Sequence, residues 1–163
     1  MKWIKLGLIS TVLLFALLMF LAAFIPSQIR ISRAIDINSP VNTITPFVSD
    51  LRKWSEWNIM VADSMIGKAV KTNRSINAEK VRVEQLTGAA DSVRFIWKQG
   101  KREVTGGLNL IPAKDITIVQ FYYDFKLNWY PWEKFASITF DQQMGPVMEK
   151  SLGNLKNISE KNH

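Results

Sequence analysis

A chain of 163 residues with 47% apolar composition has room for one domain with a buried core, and too little for several. It has no cysteine and a single histidine, the terminal His163, which excludes a disulfide framework, thiolate chemistry, a clustered metal site and histidine-based nucleophilic triads. Of the formal net charge of +7, two units come from Lys2 and Lys5, and the remaining excess either aids solubility or draws the domain toward anionic lipid headgroups.

The first 25 residues, MKWIKLGLISTVLLFALLMFLAAFI, carry no charge from Leu6 to Ile25. A helix here would rise about 1.5 Å per residue and span roughly 35 Å, enough to cross a hydrocarbon layer of about 30 Å with some tilt. The rival reading is a cleaved signal peptide, whose apolar stretch usually runs about 7–15 residues and ends in A-x-A. Here the stretch is longer and only Ala22-Ala23 stands near its end. Residues 1–27 are therefore expected to form an uncleaved single-pass anchor stopped by Pro26, and residues 28–163 the domain. Lys2 and Lys5 nearly balance Arg30 and Arg33 across it, and the short tail before a long domain places the amino terminus in the cytoplasm and the domain outside.

Ile29, Ile31, Ile35 and Ile37 alternate as on a half-buried strand, with Arg33 breaking that face either to reach water or to stand as a cation in a pocket. Ser39-Pro40 predicts a helix start, the serine capping exposed amides. The helix should run to about Leu51, with Val41, Ile44, Phe47, Val48 and Leu51 as its buried stripe and Pro46 making it irregular. Residues 58–77 read as loop with at most one weak strand. Strand signals return at 79–86, 91–98, 101–111 and 115–127, joined by the turn-prone TGAAD, QG and PAKD, as in an antiparallel meander. Gly106-Gly107 suggests a bulge or bend. Residues 128–140 are ambiguous, with Trp129, Tyr130 and Trp132 around Pro131. Met144, Met148, Leu152, Leu155 and Ile158 then mark a final amphipathic helix, kinked at Gly145-Pro146.

Strand, short helix, meander and long final helix is an order shared with the α+β helix-grip fold, in which an antiparallel sheet wraps the last helix; that fold is expected here behind one N-terminal transmembrane helix. Three stretches, FIPSQIRISRAIDINSP, DLRKWSEW and MGPVMEKSLGNLK, resemble the SRPBCC superfamily (START-like, polyketide cyclase/dehydrase-like), including its membrane-anchored members. The resemblance implies a hydrophobic-ligand cavity, with enzymes a minority. The sequence departs from the pattern at Asn58-Ile59-Met60, where similar sequences often place a third tryptophan or an aromatic-proline cluster.

An indole buries much apolar area while its N–H seeks a partner, so Trp54 and Trp57 suit the mouth of a pocket better than a dry core. With them, Phe95, Trp97, Phe121, Tyr123, Phe125, Met144, Met148 and Leu152 are the expected cavity lining, and Arg33 its polar group. Ordinary core filling is the competing role for each. Glu84, Asp124 and Asp141 have no motif around them and read as solvated carboxylates. Neither G-x-G-x-x-G after a strand nor G-x-x-x-x-G-K-[ST] occurs, and the basic residues are scattered, which argues against nucleotide and nucleic-acid binding. The expectation is a membrane-tethered domain that binds a small hydrophobic or lipid-like molecule without cofactor or metal. Its alternatives are a cyclase/dehydrase-like enzyme, which needs a buried carboxylate, tyrosine or arginine such as Tyr123 or Arg33, and a protein-interaction module with a closed cavity.

Overall fold

The computed structural model describes residues 2–89 and 91–161; His163, and Ala90 of the expected TGAAD turn, lie outside the described residues. Helix α1 (Lys2–Ala23) is long and apolar enough to cross a membrane, and of its described side chains only Ala22 is buried. Strand β1 (Gln28–Ile37) follows with Ile31 and Ile37 buried, as the alternation requires.

The next segment is built from short pieces: α2 (Val41–Ser49), a tight turn at Leu51–Lys53, α3 (Trp54–Trp57), another turn at Ile59–Val61, and α4 (Asp63–Ile66). Ile44, Val48 and Leu51 are buried, in keeping with the predicted stripe. Ser39 does not cap α2. Pro40 occupies the cap position, and the buried Ser39 hydroxyl instead donates to the Ser159 carbonyl at 3.1 Å, while Thr117 Oγ1 donates to the Ser39 carbonyl at 2.7 Å. A serine that sequence assigns to a helix end thus ties β1 to two distant elements.

Two strands that the sequence barely marks, β2 (Ala69–Lys71) and β3 (Ser75–Ala78), lead into the meander of β4 (Arg82–Gly88), β5 (Ser92–Gln99), β6 (Arg102–Ala113) and β7 (Ile116–Lys126). Among the described residues, seven strands form one antiparallel sheet in the order β1-β7-β6-β5-β4-β3-β2. Because β1 pairs with β7 from Gln28↔Lys126 to Ile37↔Thr117, the sheet end where α1 joins β1 is also the end where β7 leaves the sheet.

The paired glycines make no bulge, since β6 keeps unbroken register on both sides at Gly106-Gly107. They are clefts for rings: a Cβ at Gly106 would lie 2.5 Å from Phe95 Cζ, and one at Gly107 would lie 2.5 Å from the Tyr122 hydroxyl. The register shift falls in β4 instead, between Gln85 and Thr87.

After β7, a seven-residue helix α5 (Pro131–Ser137) resolves the ambiguous segment, with proline at its first position. Helix α6 (Phe140–Lys161) continues through Gly145-Pro146 without division. It lies along β1 in the same direction: Arg33 meets Asp141 and Glu149, Lys156 Nζ donates to the Asp36 carbonyl, and the Asn38 amide donates to Glu160. Met148, Leu152 and Leu155 face the sheet and are buried, as their spacing predicts. The fold is therefore the α+β sheet-and-helix grip expected of a START-like domain, with the core between sheet and α6.

Candidate functional site

Trp54 and Trp57 are three apart because two consecutive carbonyls await them. Helix α2 ends with its last carbonyls unpaired, and the Trp54 indole N–H donates to the Val48 carbonyl at 2.8 Å while that of Trp57 donates to Phe47 at 3.0 Å. Both side chains are fully buried rather than at a wet rim. From α3 they enter the inner face of the sheet, where Trp54 meets Phe95 edge-on at 5.0 Å and Trp57 meets Phe121 at 6.0 Å. Phe95, Phe121 and Tyr123 are in turn 5.0–6.2 Å from one another. Such tilted and edge-on pairs are favoured by ring quadrupoles, and full burial of each ring is worth about 2–3 kcal/mol. Trp97, Met148 and Leu152 belong to the same buried cluster.

Of the ten residues expected to line a cavity, only Phe125 reaches the groove that opens at the α1 end of the sheet. This groove encloses about 400 Å³ between the β5–β6 turn, the end of β7, α5 and the start of α6. Phe125 and Phe140, with ring centroids 5.1 Å apart, provide an aromatic floor beside Val104 and Ala136. Lys101, Arg102 and Lys126 stand at its edge with Glu103 and Glu133. Glu133 accepts from the Asn128 amide at 2.8 Å and from its side chain at 3.1 Å, which holds its carboxyl below the usual carboxylate range. A volume of this size falls within the range of small-ligand sites.

Behind the floor, the Tyr123 ring lies 6.4 Å from Phe125 at a tilt, so the aromatic core is continuous with the groove. The Tyr123 hydroxyl donates to Met60 Sδ at 3.6 Å and lies beside the buried Asn58 side chain. Burial pushes the Tyr123 phenol far above its ordinary value of 10.0, against a smaller downward pull from Asn58. This phenol is a buried donor.

Arg33 lies outside the groove. It is turned onto α6, where its guanidinium bonds Glu149 at 2.8 Å and Asp141 at 2.9 Å and occupies the space that a side chain at Gly145 would need. Its hydrogen bond, more than its charge, keeps the Asp141 carboxyl below the usual range. Glu84 and Asp124 are likewise engaged, by Arg82 and Lys98 and by Arg30 respectively. A second depression of about 470 Å³ on the other side of Phe125 is walled by Arg30, Arg94, Asp124 and Lys126, and offers charge where the first offers apolar surface.

The groove escaped sequence reasoning because its parts lie up to 39 residues apart and belong to a turn, a strand end and two helices. Phe140 and Ala136 carry no signal of their own; the aromatic alternation through β7 was the clue that reached Phe125.

The comparisons with known proteins agree with this architecture. No curated protein matches the chain. Among solved structures, a START superfamily protein from Mycobacterium smegmatis is 16% identical with a TM-score of 0.58, over 82% of this chain and 99% of that one. CalU16 from Micromonospora echinospora is 14% identical with a TM-score of 0.54, over 78% of this chain and 71% of that one. The di-domain ARO/CYC StfQ from the steffimycin biosynthetic pathway is 9% identical with a TM-score of 0.62, and this chain, matched over 83% of its length, spans 51% of it. Likeness at these identities speaks for the fold alone. The family model described as "Polyketide cyclase / dehydrase and lipid transport" matches residues 28–160, from the first residue of β1 almost to the end of α6, and the chain belongs to that family.

Proposed function

We propose that residues 28–163 bind a small hydrophobic or lipid-like molecule, and that α1 tethers them to a membrane as a single-pass anchor with the amino terminus in the cytoplasm. The observation that carries the binding half is the groove of about 400 Å³ with Phe125 and Phe140 as its floor and Lys101, Arg102 and Lys126 at its edge. An apolar floor edged by three cations and two carboxylates, both carboxylates already engaged, suits an amphiphile with an acidic head. The interior rings pack against one another, so the guest takes the groove, with Trp54, Trp57, Phe95, Phe121 and Tyr123 as the rigid wall behind it. Binding is favoured over a reaction because the groove's two carboxylates are engaged, Glu103 with Lys98 at 3.6 Å and Glu133 with Asn128. The tether is supported by the length and apolar character of α1 and by its exposed side chains.

Native mass spectrometry of the full chain purified in mild detergent tests the binding reading. The expected result is a co-purified amphiphile on the wild type and its loss from Ala136→Trp, a substitution at an exposed helical position that fills the groove without touching the core. A wild-type chain that carries no guest, or a variant that retains it undiminished, would overturn the assignment.

A further inference from the structure

Helix α5 carries an aromatic surface that the binding site does not use. Trp129 and Trp132 are 64% and 61% exposed, and Tyr130 lies between them, 4.8 Å from each ring and nearly parallel to Trp132. Large apolar side chains gathered at one place on a surface call for an occupant.

The structure also fixes where this surface sits. Lys134, on the opposite side of α5, is buried and donates from Nζ to the Ile25 carbonyl at 2.8 Å, just beyond the carboxy-terminal end of α1, and α5 packs against α1. Phe24, also at that end, is exposed. Tryptophan and tyrosine concentrate at membrane–water interfaces, where the ring lies among acyl chains and the N–H or O–H among headgroups. A ladder of such rings, held level with the exit of an apolar helix, matches that layer. The nearby Lys101, Arg102 and Lys126 match the negative charge of its lipids.

We infer that Trp129, Tyr130 and Trp132 seat α5 in the headgroup layer of the membrane that α1 crosses, so that the groove formed partly by Glu133 and Ala136 of the same helix opens at that layer. The inference rests on the tethered reading above. It adds to it a fixed posture for the domain and a route by which a bilayer amphiphile enters sideways, without passing through water.

The test uses the full chain with Trp3→Phe in vesicles of phosphatidylcholine and phosphatidylglycerol that contain a phospholipid brominated near the headgroup. Trp54, Trp57 and Trp97 are buried in the core, so bromine quenching should come from Trp129 and Trp132. The expected result is clear quenching that falls at least about twofold when Trp129→Phe and Trp132→Phe are added, substitutions that retain apolar rings at the interface. Unchanged quenching, or none, in a chain that resists alkaline carbonate extraction overturns the docking and leaves the anchor standing. Extraction by carbonate overturns both. A chain without quenching that forms a dimer in detergent would give the aromatic face to a second copy and equally refute the inference.

Discussion

Replacing Gly106 by alanine asks whether the inner rings are packed without slack. The added methyl would sit 2.5 Å from Phe95 Cζ, 2.9 Å from Phe95 Cε2 and 2.8 Å from the Tyr122 carbonyl oxygen. The carbonyl belongs to the β6–β7 ladder and cannot retreat without loss of pairing. Phe95 is fully buried, with Trp54 at 5.0 Å and Tyr123 at 5.5 Å, so it has to displace another ring in order to move. Overpacking of this kind costs about 1–3 kcal/mol, and two simultaneous clashes argue for the upper half. Alanine in a strand interior returns about 0.5–1 kcal/mol relative to glycine. The net expectation is a loss of about 1.5–2 kcal/mol, a shift of about 0.5 M in the guanidinium midpoint of the full chain in detergent, followed by tryptophan fluorescence. Phe95→Leu added to Gly106→Ala should recover part of it, because the two sites share one contact. A midpoint equal to or above that of the wild type would refute the reasoning, since it would mean that Phe95 has empty space to withdraw into.

Trp54→Phe removes the indole N–H from the buried Val48 carbonyl and leaves a void between α3 and Phe95; a loss of about 2–4 kcal/mol is expected in the same unfolding assay. The Tyr123 phenol, raised by burial, favours the folded state fully below the ordinary value of 10.0, and that contribution is lost as pH climbs above it. Ultraviolet titration of the native chain should therefore look the same in Tyr123→Phe until the fold opens, and a missing ionisation step in the folded variant would contradict the assignment. Asp141, lowered by Arg33, works in the other direction: its contribution is present above 3.8 and disappears as pH falls through its lower folded value. Arg33→Ala should lower stability slightly near neutrality and not at low pH, which flattens the acid limb in a melting series by the same small amount, small because both carboxylates it pairs with are exposed.

Most of the fold was legible because periodicity is local. Alternation through 91–98 and 115–127 locates β5 and β7, and spacing of three and four from Met144 to Leu155 locates α6. Strands β2 and β3 were not, since three and four residues are too few to show a period and several are polar. Helix α5 was hidden by the strand-forming residues that surround Pro131. Of the candidate groove, only Phe125 was legible. The aromatic set was recognised, but whether two rings enclose a hollow or touch one another depends on strand register, and register between distant segments is not written in either one. The same holds for Gly106, whose partner is Phe95, and for Gly145, whose partner is Arg33 from the first strand.

Only four residues, 24–27, separate α1 from β1, and they are held in turn by the bond from Lys134 to Ile25 and by the Leu127 amide on the Ser27 carbonyl. Fully stretched, such a leash reaches about 14 Å. If α1 is a membrane anchor, as proposed above, a domain rooted so tightly would trade cargo with its own bilayer and with whatever is brought to it, and would not ferry anything across an aqueous gap to another. On the tethered reading its work is therefore local, to extract, hold or sense molecules where it stands, and a partner that receives such a molecule has to come to it.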